Sequence, residues 1–256
     1  MVYAVNTNVA ALNVYNNLGV HQAKSSASLA RISSGLKSAG GGDIASQGTA
    51  ATISSKLQAT QSSISQVQNA VNQLQSADAA YGELIALGQK GLEVASRGAD
   101  ANADFSSLGT QAAALKAGAT SITTNSQFNG ALLSATQTPD VGASTFDVSP
   151  TFATVGTVTI TDAASAATAA TAFSTYIDST VDNRATNAGN LASLQNTLQV
   201  LNSVATNEMA GIGQAQDTDI AKEMMSLTSA NIMTEAATAM LSQAMQLPNS
   251  VLKLLQ

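Results

Sequence analysis

Apolar positions recur every three or four residues over most of this chain, the spacing of one helix face. Val5, Val9, Leu12, Leu29, Ile32 and Leu36 predict a first helix from Val5 to Leu36. The stretch "KSAGGGD", Lys37 to Asp43, breaks it, because consecutive glycines favour irregular backbone, and Asp43 stands where it can cap the next helix. The longest pattern follows. Leu57, Thr60, Ile64, Val67, Val71, Leu74, Asp78, Tyr81, Ile85, Gly88, Leu92 and Ala95 alternate steps of three and four without a slip. That heptad seam implies a helix of about 60 Å.

A break at Arg97 to Asp104 precedes a shorter seam of Phe105, Leu108, Ala112, Leu115, Ala119 and Ile122, which ends near the turn signal Asn129-Gly130. The pattern then changes. "STFDVSPTFATVGTVTITD" alternates β-formers with small polar residues and predicts two or three short strands, followed by an exposed, Ser/Thr-rich short helix up to about Asp182. Helical spacing resumes with Leu191, Leu194, Leu198 and Leu201, a segment of the right length to lie antiparallel against part of the long seam. "GIGQAQDTD" reads as an interruption, with Asp217 or Asp219 capping a last helix that carries Ile220, Met224, Leu227, Ile232 and Met240. Pro248 is expected to kink or pause that helix.

The resulting expectation is a mainly α fold. Long antiparallel coiled-coil helices bring both termini to one pole, and a small β-hairpin or β-rich segment lies at the other end.

The final sixteen residues sharpen this picture. They carry Leu241, Met245, Leu247, Val251, Leu252, Leu254 and Leu255, although chain ends usually fray in solvent. Each such side chain contributes about 1.5–3 kcal/mol when fully buried. Ordering each residue costs about 1–2 kcal/mol, and a short isolated helix is marginal in water. The tail is therefore favourable only when neighbours bury it on most sides, most simply copies of the same chain. A contact between unlike faces of identical subunits is heterologous, and its repetition gives rings or open helical filaments.

Composition agrees. Only 10% of residues are charged and 4% aromatic, with no Trp, so slender helices packed through small residues are expected. The net charge of −6 offers no basic stripe for nucleic acid and disfavours an anionic membrane surface. No apolar run reaches the length that spans a bilayer. Cysteine is absent, which suits a chain that travels unfolded, and the N-terminus lacks the pattern of a cleavable signal peptide.

Candidate chemistry is thin, and no cofactor or metal is expected. His21 has no catalytic partner nearby in sequence and reads as a helix-surface or packing residue. "GIGQAQ" lacks the third glycine of a dinucleotide loop. Asp217 and Asp219 have a calcium-like spacing without the closing Glu. Met224, Met225, Met233, Met240 and Met245 read as adaptable packing. An enzyme has no constellation to support it. The Ser/Thr-rich middle leaves O-linked glycans open beside a plain exposed loop.

Four stretches together, "VNTNVAALN", "SLARISSGLKSAGGGDIASQGTA", "NSQFNGALL" and "DTDIAKEMMSLTSANIMTEAATAMLSQAMQLPNSVLKLLQ", resemble bacterial flagellin, in the family's order. The resemblance implies a filament subunit. Residues 1–41 and 216–256 would form the inner filament core. Residues 42–130 and 183–215 would form a helical rod, packed through Leu57, Ile64, Val67, Val71, Leu74, Ile85, Leu191, Leu194, Leu198 and Leu201. Residues 131–182 would form a small outer segment. Polymerisation would fall on Val5, Val9, Leu12, Leu29, Ile32, Leu36, Ile220, Met224, Leu227, Ile232, Met240, Leu241, Met245, Leu247, Val251, Leu254 and Leu255. The family also implies export through the flagellar type III channel without cleavage and a cytoplasmic chaperone on the C-terminal segment. Sibling flagellins and junction and cap proteins are the further partners it implies.

Two departures stand out. Where many flagellins have "AKDD", this chain has "AGGGD", which predicts a more pliable connector. Where many carry an Arg-rich patch read by an animal immune receptor, this chain has Gly88, Lys90 and Gly91, which predicts weak or absent receptor activation. The runner-up reading is a hook–filament junction protein or a flagellin-like surface adhesin or glycan binder; the complete "QFNG" segment favours the filament protein.

Overall fold

The computed structural model describes residues 8–100, 102–141 and 146–254, with backbone only for 247–254. Five helices dominate it: α1 (Val9–Ser34), α2 (Ile44–Arg97), α3 (Phe105–Asn125), α4 (Ala163–Gln216) and α5 (Ile220–Leu254). A two-stranded antiparallel hairpin, β1 (Gln127–Phe128) and β2 (Ala131–Leu132), follows α3. Asn129 and Gly130 form its turn, both at positive φ (51° and 79°), as an Asn-Gly hairpin requires.

Acidic and amide side chains start the helices. Asn8 caps α1 by accepting from the Ala11 N–H at 3.0 Å. Asp43 caps α2 through the Ser46 N–H at 3.0 Å and also accepts from the Ser46 hydroxyl. These two bonds hold the Asp43 carboxyl below its ordinary range. Asp104 caps α3, Asp162 caps α4 through the Ser165 N–H at 2.7 Å, and Asp219 caps α5 through the N–H groups of Ala221 and Lys222. Ser165 bonds lower the Asp162 carboxyl in the same way.

Contacts divide the chain into two units, residues 58–206 and residues 1–57 with 207–256. The first has a closed core. Within it α2 and α4 run antiparallel: Gly98 meets Ala166, Gly91 meets the Phe173 ring, Gly88 meets Tyr176 and Ile177, and Arg184 meets Asp78. A Cβ on Gly91 would lie 2.3 Å from the Phe173 ring, so the helices approach this closely only because the side chain is missing. Leu84, Val94, Leu108, Ala112, Ala119, Phe173 and Tyr176 form one buried cluster, and Val67, Ala70, Leu74, Leu194 and Leu201 another. Buried polar groups are tied to backbone: Asn187 donates to the Leu74 carbonyl (2.9 Å), and Gln73 to those of Leu133 (3.0 Å) and Ala135 (2.8 Å). Tyr81 donates to the Thr151 carbonyl at 2.7 Å, and its burial pushes the phenol up to about 12.

Several expectations are corrected here. The strands predicted between 146 and 160 do not form; the region makes one isolated bridge, Gln137 with Val148. Val155, Val158 and Ile160 are buried against helices and have no strand partner, and Val148, also buried, pairs only through that bridge. The Ser/Thr-rich stretch expected to be a short exposed helix is the first half of the 54-residue α4, with Ala166, Ala169, Phe173, Tyr176 and Thr180 buried. Gly211 and Gly213 lie inside α4, and the interruption falls at 217–219. Gly211 sits beside Ile53, at a distance where a Cβ would make ordinary contact (3.5 Å). At the chain's far end, α5 continues as helix through Pro248.

In the second unit α1 and α5 lie against each other, antiparallel. The expected start of α1 at Val5 lies outside the described residues; α1 ends at Ser34 because Gly35 adopts the left-handed conformation (φ 72°). The glycine connector expected to be pliable is hydrogen-bonded at its first residues. The Lys37 N–H donates to the Gln216 carbonyl (2.9 Å), the Thr218 N–H to that of Gly35 (2.9 Å), and Lys37 Nζ to that of Gln214 (2.7 Å). Gly40 presses on Ala27 so closely that a Cβ would lie 2.8 Å from its Cα.

Candidate functional site: the terminal helix pair

The less exposed positions of α1 recur as Ala11, Val14, Leu18, His21, Ser25, Ser28 and Ile32, and those of α5 as Glu223, Leu227, Ala230, Thr234, Ala237, Leu241 and Ala244. Both series step by three and four, the pattern of a coiled-coil seam. Nine of these fourteen residues are small or polar, and Val14, Leu18, Ile32, Leu227 and Leu241 are the larger apolar ones. The seam is laced with polar contacts: Asn8 Nδ2 to the Ala244 carbonyl (2.7 Å), Ser25 Oγ to Asn231 Oδ1 (2.8 Å), Ser28 Oγ to Ser226 Oγ (3.4 Å) and Arg31 Nη1 to Glu223 Oε1 (2.6 Å). The Glu223 side chain is 10% exposed and that of Arg31 28%, so this ion pair is partly desolvated.

Many of the large apolar side chains point the other way. Val9, Leu12, Leu29, Ile220, Met224, Ile232, Met240 and Met245 are between 47% and 64% exposed. Ile32, Leu36, Leu227 and Leu241 are half-buried. Val5 and Leu255 lie outside the described residues, as do the side chains of Leu247, Val251 and Leu254. Sequence reasoning missed Tyr15 and Val20, and read Met225 and Met233 only as packing; all four are at least half exposed on the same two helices. Met224, Met225, Ile232 and Met233 with Thr228 and Ser229 line an open apolar groove on α5.

The residues assigned to rod packing fall otherwise. Val67, Leu74, Leu194 and Leu201 are buried in one cluster, with Ile64, Val71, Leu191 and Leu198 packed around it. Leu57 and Ile85 are half-buried. Of the three positions of the altered receptor patch, Gly88 and Gly91 are buried against α4, and Lys90 is exposed.

Among the described residues, no group of three or more His, Cys, Asp or Glu side chains could hold a metal ion, and no helix is long and apolar enough to cross a membrane. What the molecule presents is one closed helical core and one helix pair with many large apolar residues turned outward. Those features fit a helical structural subunit.

Comparison with known proteins gives the family. Residues 174–255 match the C-terminal helical region of bacterial flagellin. The flagellin of Halalkalibacterium halodurans is 28% identical over 274 residues, covering 98% of this chain and 99% of that one. The flagellin of Bacillus subtilis is 25% identical over 302 residues, with the same coverage of 98% and 99%. The Bacillus subtilis flagellin relative YvzB is 34% identical over 113 residues, 43% of this chain and 69% of YvzB. The chain belongs to the bacterial flagellin family and is a structural subunit of the flagellar filament.

Proposed function

We propose that the chain polymerises by burying the outward faces of α1 and α5 against other copies of itself. The observation that carries this reading is the direction of the large side chains. In an ordinary two-helix pair they would fill the seam, but here Ala, Ser and Thr take many of its positions beside Val14, Leu18, Ile32, Leu227 and Leu241, while Val9, Leu12, Leu29, Ile232 and Met240 face solvent. An apolar surface of that kind on a structural subunit calls for protein neighbours. One helix face must meet a different face of the next subunit, so the contact is heterologous and propagates into a filament. Methionines suit such a surface because their flexible thioethers fill irregular gaps between copies.

On this reading residues 1–41 and 216–256 form the inner core of the filament. The working location is the extracellular filament, reached by export in an unfolded state. The cysteine-free sequence and the sparse α1–α5 seam support this, since neither a covalent link nor a large apolar seam resists unfolding. A cytoplasmic chaperone covering the C-terminal segment would keep its apolar face from premature assembly. Junction, cap and sibling flagellin subunits would meet the same faces at the filament ends. The role is structural, not enzymatic. Receptor activation should be weak, because Gly88 and Gly91 supply no side chain to the patch and Lys90 alone reaches solvent.

Seeded polymerisation tests the proposal. Purified chain, dissociated by heat or acid and returned to neutral salt with seeds, should form filaments visible by electron microscopy. Met240→Asp should not, while keeping the helical content of the parent. Filaments of normal yield from the aspartate variant would overturn the assignment.

A further inference from the structure

The apolar seam between α1 and α5 does not by itself fix how the two helices align. On α5, Ala230, Ala237 and Ala244 repeat at seven-residue intervals, and so do Leu227, Thr234 and Leu241. Sliding α5 by one heptad, about 10 Å at 1.5 Å per residue, lays alanine where alanine was and merely permutes the larger residues. The α1 side reads Ala11, Val14, Leu18, His21, Ser25 and Ser28, which contains no shape that admits one partner alone.

The polar contacts behave differently. They pair residue 8 with 244, 25 with 231, 28 with 226 and 31 with 223, four contacts of a single register. The strongest is Arg31 with Glu223, a charged pair at 2.6 Å whose carboxylate is almost out of water. It stands one helical turn from the joint where Thr218 N–H and Lys37 N–H bond to the Gly35 and Gln216 carbonyls. Asn8 holds the opposite end, capping α1 and binding α5 with the same side chain. Removing one partner of a partly desolvated pair leaves a charge stranded, so slippage is penalised there and hardly at all along the seam. The other cation at the heptad-equivalent position is Lys24, seven residues earlier.

We propose that the Arg31–Glu223 pair, backed by the joint and by Asn8, is the specificity element that selects the register of the terminal helices. This rests on the assembly reading above. Register decides which outward residues stand level: Val9 beside Met245, and Leu29 beside Met225. A one-heptad slip separates each pair by about 10 Å and breaks up the composite face offered to a neighbour. The pair is thus a positioning device for polymerisation, and its charges need not touch the neighbouring subunit.

The test exploits a chain with no native cysteine. In full-length protein, Ser25→Cys with Asn231→Cys reports the observed register by disulfide formation, and Ser25→Cys with Met224→Cys reports the slipped one. Each cysteine pair is combined with Arg31→Glu, with Glu223→Arg, and with both reversals. Intramolecular cross-linking is read on denaturing gels, and seeded polymerisation by sedimentation. Either single reversal should cut the 25–231 cross-link at least tenfold, and in Arg31→Glu, where Glu223 can reach Lys24, the 25–224 cross-link should rise. Polymer yield should fall in parallel. The double reversal should restore both readouts to within about twofold of the parent. The milder Glu223→Gln, which keeps the shape, should give an intermediate cross-link. Retention of the 25–231 cross-link in the single reversals overturns the proposal, and so does failure of the double reversal to restore it. If the cross-links follow the charges while polymerisation never changes, register selection stands and the assembly reading fails.

Discussion

Residues 58–206 and the terminal unit are both mainly helical and share a composition rich in small residues, yet they treat large side chains differently. In the first, Phe173, Tyr176, Tyr81, Leu74 and Leu194 are at most 2% exposed, and gaps between helices are closed by Gly88, Gly91 and Gly98. In the second, many large residues of α1 and α5 are turned out, and small or polar ones take most positions of the seam. The contrast teaches where stability comes from in each. One unit completes its core within the chain; the other has an apolar surface whose burial requires neighbours. Truncation and substitution should therefore produce two separable phenotypes.

The largest effect is expected from removing residues 247–256. The truncated chain should stay soluble and helical with the melting transition of residues 58–206 unchanged, and seeded polymerisation should be abolished. Wild-type filament yield from the truncated chain would break the comparison.

Phe173→Ala should do the reverse. Deleting a fully buried ring costs about 3–5 kcal/mol, seen as a lower denaturation midpoint of the monomer. Gly91→Ala should act in the same direction by overpacking, about 1–3 kcal/mol, because its methyl would enter the Phe173 ring. Ile232→Asp, on the open face, should leave monomer stability within about 0.5 kcal/mol and raise the critical concentration for assembly at least tenfold.

Alkaline titration gives a smaller effect confined to the closed unit. The Tyr81 phenol is raised by burial to about 12, so the fold holds the proton more tightly than the unfolded chain. Its contribution is complete below the unfolded value near 10 and is lost as pH rises through about 12. Tyr81→Phe should lose the hydrogen bond to Thr151 and flatten this alkaline decline in a denaturation series.

The smallest effect belongs to Asp78. Arg184 binds its carboxylate bidentately at 2.7 and 2.9 Å and lowers its pKa, first by hydrogen bonding and then by charge. The pair is exposed, and such pairs contribute about 0–1 kcal/mol. Asp78→Ala should cost no more than that at neutral pH. The difference from the parent should vanish as pH falls below the ordinary carboxylate range, because a depressed carboxyl stabilises only while ionised.

These two regions were unequally legible in the sequence. The α2 seam from Val67 to Ala95, the caps at Asp43 and Asp219 and the Asn129-Gly130 turn follow from spacing and local chemistry. The first half of α4 was obscured because Ala166, Ala169 and Thr180 carry little hydropathy although helices bury them. Val155, Val158 and Ile160 have β-forming side chains, but β propensity needs a neighbouring strand, and they lie on helices instead. At the candidate site the large residues of α1 and α5 were readable, while their direction was not. An apolar stripe announces burial without saying whether the partner belongs to the same chain, and the Ala, Ser and Thr positions of the seam are nearly silent to periodicity.

The most direct measurement is amide hydrogen exchange on the dilute monomer and on assembled filaments of the same preparation. Residues 58–206 should be protected in both. The amides of α1 and α5 should exchange at least a hundredfold faster in the monomer than in the filament. Equal protection of α1 and α5 in the two states would contradict the claim that neighbouring copies complete the terminal unit.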